Sequence, residues 1–150
     1  MAKNLGKKFE AIIGKAFEDV RGCSVDRIPD QTMKYKDRKN VADFIVYKYP
    51  NQYYIECKTV HGNTLPFSNI TQFDALYEKS FVIGVCAGVM CWWVDKDVTR
   101  WIRIEELAYL KRQGRKSIRY DESIPNFRGK TIPGRKKRVY FEYFMELFFR

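Results

Sequence analysis

The chain has 150 residues, of which 45% are hydrophobic and 16% aromatic, a length and composition that support one buried core and exclude a disordered polymer. The formal net charge is +10 and it is uneven: residues 1–99 carry 14 Lys and Arg against 12 Asp and Glu (+2), whereas residues 100–150 carry 14 against 6 (+8). An excess this concentrated points to a polyanionic partner, nucleic acid ahead of a membrane surface.

Leu5, Phe9, Ile12, Ile13, Ala16, Phe17 and Val20 recur at helical spacing and predict a helix over residues 4–21, with Gly22 as its stop. On this helix Glu10 borders the apolar stripe, the position of an ordinary flanking surface glutamate. A strand is expected near Ser24–Ile28, then a polar, basic loop over Asp30–Asn40. Ala42–Val46 and Tyr54–Lys58 read as two short strands joined by a turn at Tyr49–Gln52, with Asp43 on the first strand. Ser68 or Asn69 can cap a second helix running to about Lys79, with Ile70, Phe73, Leu76 and Tyr77 turned inward. Phe81–Ala87 and Val89–Val94 look like two buried strands around a turn at Gly88. Ile104–Gln113 reads as a short helix closed by Gly114, and Ser117–Tyr120 as a short strand. The aromatic run Val139–Phe149 fits a strand or a helix. No repeat or linker divides the chain, so the expectation is a single domain over 1–150, an α/β layer with a mixed sheet flanked by helices.

Chemistry concentrates in the hairpin. Side chains of a strand alternate between faces, so Tyr54, Glu56 and Lys58 share one face, and Tyr53, Ile55, Cys57 and Thr59 the other. A Glu-x-Lys pair inside a strand this apolar is costly to bury without partners or a metal. Asp43, across the turn, can supply a second carboxylate. Two carboxylates suit a divalent cation such as Mg²⁺ or Mn²⁺. Asp43 and Glu56 would hold it, with the backbone carbonyl of Cys57 as a further oxygen, and Lys58 would stabilise phosphate charge or orient the attacking water. The bland reading is a surface salt bridge between Lys58 and one of the acids.

Four segments resemble the PD-(D/E)xK nuclease superfamily, and more narrowly the RecU-type Holliday junction resolvases of Gram-positive bacteria and their phages. They are Asn4-Leu5-Gly6 with Phe9-Glu10; Ala42-Asp43-Phe44 followed by Ile55-Glu56-Cys57-Lys58-Thr59; Leu65-Pro66-Phe67-Ser68-Asn69-Ile70 ahead of Gln72; and Lys116-Ser117-Ile118. The resemblance implies a restriction-endonuclease-like core, Mg²⁺-dependent cleavage of Holliday junctions and a homodimer acting on opposed strands. It also implies that Glu10 is a helix-borne acid beside the metal, and that Gln72 is directed at the active site with Asp43, Glu56 and Lys58. The chain departs from the RecU pattern in two places. Asp30–Asn40 is short where the family has a longer, stalk-forming segment, and Ala42-Asp43-Phe44-Ile45 replaces the T-D-Y-N-G context.

Phosphate contacts need only charge and reach, which makes the basic loops candidates for DNA binding. The residues are Lys34, Lys36, Arg38 and Lys39 in the first loop, and Arg115, Lys116, Arg128, Lys130, Arg135, Lys136, Lys137 and Arg138 toward the end. Pro125, Gly129, Pro133 and Gly134 mark that second region as a loop. Trp92, Trp93 and Trp101 are expected in the core or a dimer interface, and His61 in a turn without a role. With one histidine and no C-x-x-C spacing, a zinc finger is excluded, and the four cysteines read as reduced, mostly buried thiols. The N-terminus lacks the apolar core of a signal peptide, and Phe81–Val94 is too short and glycine-interrupted to span a bilayer. The expected setting is the cytoplasm of a bacterial host cell. Competing functions are a related nuclease acting on duplex, flap or forked DNA, and a non-catalytic basic DNA-binding module.

Overall fold

The computed structural model describes residues 5–29, 40–122, 129–136 and 141–150, with Arg135 and Lys136 described by backbone alone. Its frame is a six-stranded mixed sheet in the order β1-β2-β3-β4-β5-β6. Here β1 is Ser24–Arg27, β2 Phe44–Lys48, β3 Asn51–Val60, β4 Val85–Trp93, β5 Val98–Arg103 and β6 Lys130–Thr131. Only β3 and β4 run parallel, from Gln52↔Val85 to Val60↔Trp93; every other neighbouring pair is antiparallel. The parallel pair needs a crossover. It is supplied by Thr64–Pro66, which pairs with Ser117–Arg119, then a 3₁₀ turn at Phe67–Asn69, and helix α2 (Phe73–Lys79).

Helices cover both faces because the strands are apolar on both. Helix α1 (Leu5–Glu18) lays Phe9, Ile13 and Phe17, all fully buried, against Phe44, Val46, Ile55, Cys57 and Met90. Each of those three side chains contributes roughly 1.5–3 kcal/mol by leaving water. The end of the chain completes this layer: Phe141–Tyr143 pairs with Gly134–Lys136, and a 3₁₀ turn over Met145–Phe149 inserts Met145 and Phe148. The opposite face takes α2 and α3 (Ile104–Arg112) over Val60, Ala87, Val89, Cys91, Trp93 and Ile102. Helix α3 stops as expected at Gly114. With φ at +86°, Gly114 donates its N–H to the Lys111 carbonyl and Arg115 donates to that of Leu110, a Schellman ending.

Several expectations change. Helix α1 ends at Glu18, and Val20 is buried beyond it in the turn that leads to Gly22. Helix α2 begins at Phe73 rather than after Ser68 or Asn69, because Phe67–Asn69 closes its own 3₁₀ turn first. The two strands expected around Gly88 are one, β4. Gly88 is not a turn but a point of close approach, where a Cβ would lie 2.3 Å from the Ile102 carbonyl oxygen on β5. Residues 81–84 are exposed turn instead of strand. Strand β5 was not anticipated, and the stretch containing Pro133 and Gly134 contains strand pairing rather than only loop. The closing aromatic run is a short strand followed by a 3₁₀ turn. The loop expected over residues 30–39 falls outside the described residues.

Trp93 and Trp101 are core residues and Trp92 is half-buried against Phe9. All four cysteines are free thiols, with Cys57 and Cys91 buried and Cys23 and Cys86 half-buried. Among the described residues no helix is long and apolar enough to cross a membrane.

Candidate functional site

The alternation expected of β3 is what the fold shows. Ile55 and Cys57 enter the α1-side core, while Tyr54 and Val60 pack on the α2–α3 side. Glu56 lies on the α2–α3 face and is only 4% exposed, which rules out the bland surface reading for this carboxyl. Asp43 is not on strand β2 as expected; it immediately precedes Phe44. That offset creates the local geometry. The N–H of Asp43 still donates to the Ile55 carbonyl at 3.1 Å, but β3 continues past the start of β2 and its next outward N–H, that of Cys57, has no strand partner there. The Asp43 carboxylate takes that place, accepting the Cys57 N–H at Oδ2 over 2.8 Å. In an extended strand the N–H and C=O of one residue point to the same side, so the Cys57 carbonyl also faces the Asp43 side of β3.

The Asp43 carboxyl lies beside that of Glu56, close enough to disfavour its ionised form. Glu56 Oε2 is buried and, among the described residues, has no hydrogen-bond partner. Burial is the largest cause raising the Glu56 pKa, to about 9; the Asp43 carboxyl and its charge add to it, Lys58 opposes, and Glu10 contributes a smaller push upward. Lys58 is half-buried and level with Cys91 of β4. Buried apolar surroundings raise the Cys57 thiol above its usual range, so its sulfur is a packing group rather than a nucleophile.

Glu10 approaches from α1 closely enough to act on Glu56 electrostatically, and its Oε2 receives Arg27 Nη2 of β1 at 3.2 Å. Arg27 was not anticipated; the Asp-Arg pair ending β1 gave no motif to mark it. Gln72 is the residue before α2, where its side-chain oxygen accepts the Thr71 hydroxyl at 2.6 Å. Among the described residues no hydrogen bond joins Gln72 to Asp43, Glu56 or Lys58. His61 has a role in its turn: its Nδ1 lies 3.3 Å from Asp95, which also accepts the Gly62 N–H at 2.7 Å.

Among the described residues, no three His, Cys, Asp or Glu side chains gather into a metal-holding set. The donor chemistry nonetheless fits a hard cation. Mg²⁺ is ordinarily held by one or two carboxylates and keeps its remaining positions for water and phosphate. The Asp43–Glu56 pair, the unpartnered Oε2 and the Cys57 carbonyl are oxygen donors of that type.

The cations proposed for DNA separate into groups. Arg115 is committed internally, donating to both Glu122 carboxylate oxygens at 2.6 and 3.0 Å and to the Ser117 carbonyl. Lys130 Nζ donates to the carbonyls of Phe148 and Arg150, both at 2.9 Å, and so ties down the end of the chain. Lys116 is exposed. Lys34, Lys36, Arg38, Lys39, Arg128, Lys137 and Arg138 fall outside the described residues, as do the side chains of Arg135 and Lys136.

A mixed sheet with helices on both faces, and an acid pair where β2 meets the longer β3, is a restriction-endonuclease-like core. The fold is similar to that of Hjc, a Holliday junction resolvase from Archaeoglobus fulgidus. The similarity has a TM-score of 0.51 at 16% sequence identity, and covers 80% of this chain and 88% of that one. No family model and no curated protein matches the sequence.

Proposed function

We propose that this chain is a metal-dependent, structure-selective DNA endonuclease that resolves Holliday junctions by phosphodiester hydrolysis, its nuclease domain spanning residues 1–150. The observation that carries the reading is the buried Glu56 carboxyl with the half-buried Asp43 beside it, and Lys58 two residues further along the same strand face. The fold shared with an archaeal resolvase supports it, as does the net charge of +10.

Asp43, Glu56 and the Cys57 carbonyl would hold Mg²⁺ or Mn²⁺, with Glu10 as a further acid. When bound, the ion supplies polarisation of the phosphate and neutralisation of the charge that develops in hydrolysis. The chain's own residues do the rest. Asp43 keeps its carboxylate fixed through the Cys57 N–H, and Arg27 holds Glu10 beside the pair. Lys58 donates to a non-bridging phosphate oxygen or to the attacking water. Gln72 is assigned to orienting the substrate or water from the start of α2. The apolar surroundings of Glu56 keep bulk water out, which strengthens each of these contacts.

A labelled four-way junction incubated with Mg²⁺ should be cut in opposed strands. Glu56→Gln and Lys58→Ala should each lower cleavage by about 10²-fold or more while junction binding persists. Undiminished cutting by either variant removes the site. A panel of junction, fork, flap and linear duplex, with Asp43→Asn as control, measures the preference; equal cutting of linear duplex would replace junction resolution with general duplex cleavage.

A further inference from the structure

Across β3, β4 and β5, Lys58 lies level with Cys91, and Cys91 with Arg100. Thr99 and Trp101 point into the α1-side core, where they meet Tyr143 and Phe148. Arg100 therefore shares the α2–α3 face with Ile102, Glu56 and Lys58. Two strand spacings separate Lys58 from Arg100, about 10 Å across the sheet. Cys91 between them is short and fully buried, and the nearby Lys58 charge opposes the rise that burial causes in its thiol pKa. Past this level β3 and β4 end in turns open to solvent, residues 61–63 and 95–97, which the Val94 N–H ties together through the Val60 carbonyl at 2.9 Å.

Among the described residues two arginines are half-buried, Arg100 and Arg115. Arg115 is satisfied by both carboxylate oxygens of Glu122. Arg100 forms no ion pair among the described residues, and its Nε is buried there without a hydrogen-bond partner. Asp121 feels the Arg100 charge but already receives Arg119 Nε at 2.9 Å. The acids of the 95–97 turn are taken as well, Asp95 by the Gly62 N–H and Asp97 by the Trp92 indole at 3.1 Å. A guanidinium carries five donors in a planar fork, and withdrawing them from water without a partner is costly. The same fork matches the oxygens of a phosphate.

We propose that Arg100 anchors the DNA strand being cut, by holding a phosphodiester that flanks the one addressed by Lys58. The proposal rests on the nuclease reading and adds to that site a residue from a third strand. Arg100 is a positioning residue. Two strands from Glu56, it stands away from the reacting atoms and acts by fixing where the strand lies over Lys58. Its donors exchange an incomplete shell in the free protein for phosphate oxygens in the complex.

A four-way junction carrying single neutral methylphosphonates, moved one position at a time around the cut site, tests this. Binding is measured without Mg²⁺ by fluorescence anisotropy. Wild type should lose about tenfold in affinity when the flanking phosphate is neutralised, and Arg100→Gln should lose about as much on the unmodified junction. In Arg100→Gln the methylphosphonate at that one position should then cost nothing further, while those elsewhere still do. With Mg²⁺, the variant should raise KM and change kcat little. Arg100→Lys keeps the charge without the fork and should recover part of the affinity; it carries the same test if the glutamine variant proves unstable. A variant that binds as tightly as wild type, or that keeps the wild-type sensitivity at every position, overturns the proposal. A wild type that fails to cut in Mg²⁺ overturns the nuclease reading instead, and the binding profile still decides whether Arg100 holds a phosphate.

Discussion

Glu56 is held where an ionised carboxylate is costly, with Oε2 unpartnered among the described residues and a second acid, Asp43, close by. In the unfolded chain it loses its proton near 4.5, whereas in the fold it keeps it to about 9. Between those values the folded protein holds a proton that the unfolded chain has released, so stability falls as pH rises through the window and levels off above it. Glutamine keeps the shape without the charge. In ion-free protein at about pH 8, Glu56→Gln should therefore be more stable than wild type by on the order of 1–3 kcal/mol, and the gap should close toward pH 4.5. Thermal melts across that range measure it; parallel curves for the two proteins would show that the buried carboxyl carries no charge penalty. A group that weakens the fold in this way fits a role in binding more readily than one in stability. The pairing of Glu56 with Lys58 was legible because a strand's two-residue period can be read directly from sequence. The Cys57 N–H that fixes Asp43 was not, since it depends on β2 starting at Phe44, two residues after Ala42 and just past Asp43.

At the scale of elements, glycine was the residue most open to misreading. In an apolar run it marks either a turn or a close approach of backbones, and the run alone does not distinguish them. Gly88 is the second kind. A Cβ there would meet the Ile102 carbonyl oxygen at 2.3 Å and the Trp101 ring at 2.9 Å, and backbone pairing across Gly88↔Arg103 leaves no slack. Gly14 on α1 is a milder case, because its Cβ would meet a Phe44 ring atom at 2.9 Å and a ring edge can move aside. Gly88→Ala should accordingly cost about 3 kcal/mol or more, and Gly14→Ala less, partly offset by about 1 kcal/mol of helix propensity. Urea unfolding midpoints compare the two, and a Gly88→Ala protein as stable as wild type would mean that β4 and β5 can part without loss. The helices were easier to read. The apolar stripe of α1 and the Gly114 ending of α3 are local signals, whereas β5 takes its place from pairing with β4 on one side and β6 on the other.

Across the whole molecule, the class of fold was legible from the alternation of helical and strand periods, while the distribution of charge was legible only as composition. Composition counts every cation alike, but the structure separates those already occupied from those that are available. Arg115 is neutralised by Glu122, whose own pKa that contact lowers, and Lys130 is bound to two carbonyls near the end of the chain. Such groups release few counterions when DNA arrives, because their partners are already protein atoms. The run Arg135-Lys136-Lys137-Arg138 concentrates four cations with no acid among them. If it contacts phosphates, replacing all four with Gln should weaken junction binding across all sequences and make the plot of log affinity against log salt shallower, by about 0.9 for each phosphate no longer neutralised. Arg115→Gln should instead lower the unfolding midpoint, since it leaves Glu122 poorly paired, and should change the salt slope little. Fluorescence anisotropy of a labelled junction over a salt series separates the two kinds of cation. An unchanged slope in the fourfold variant removes that run from the DNA interface, and a slope reduced by Arg115→Gln would mean that its pairing with Glu122 opens when DNA binds.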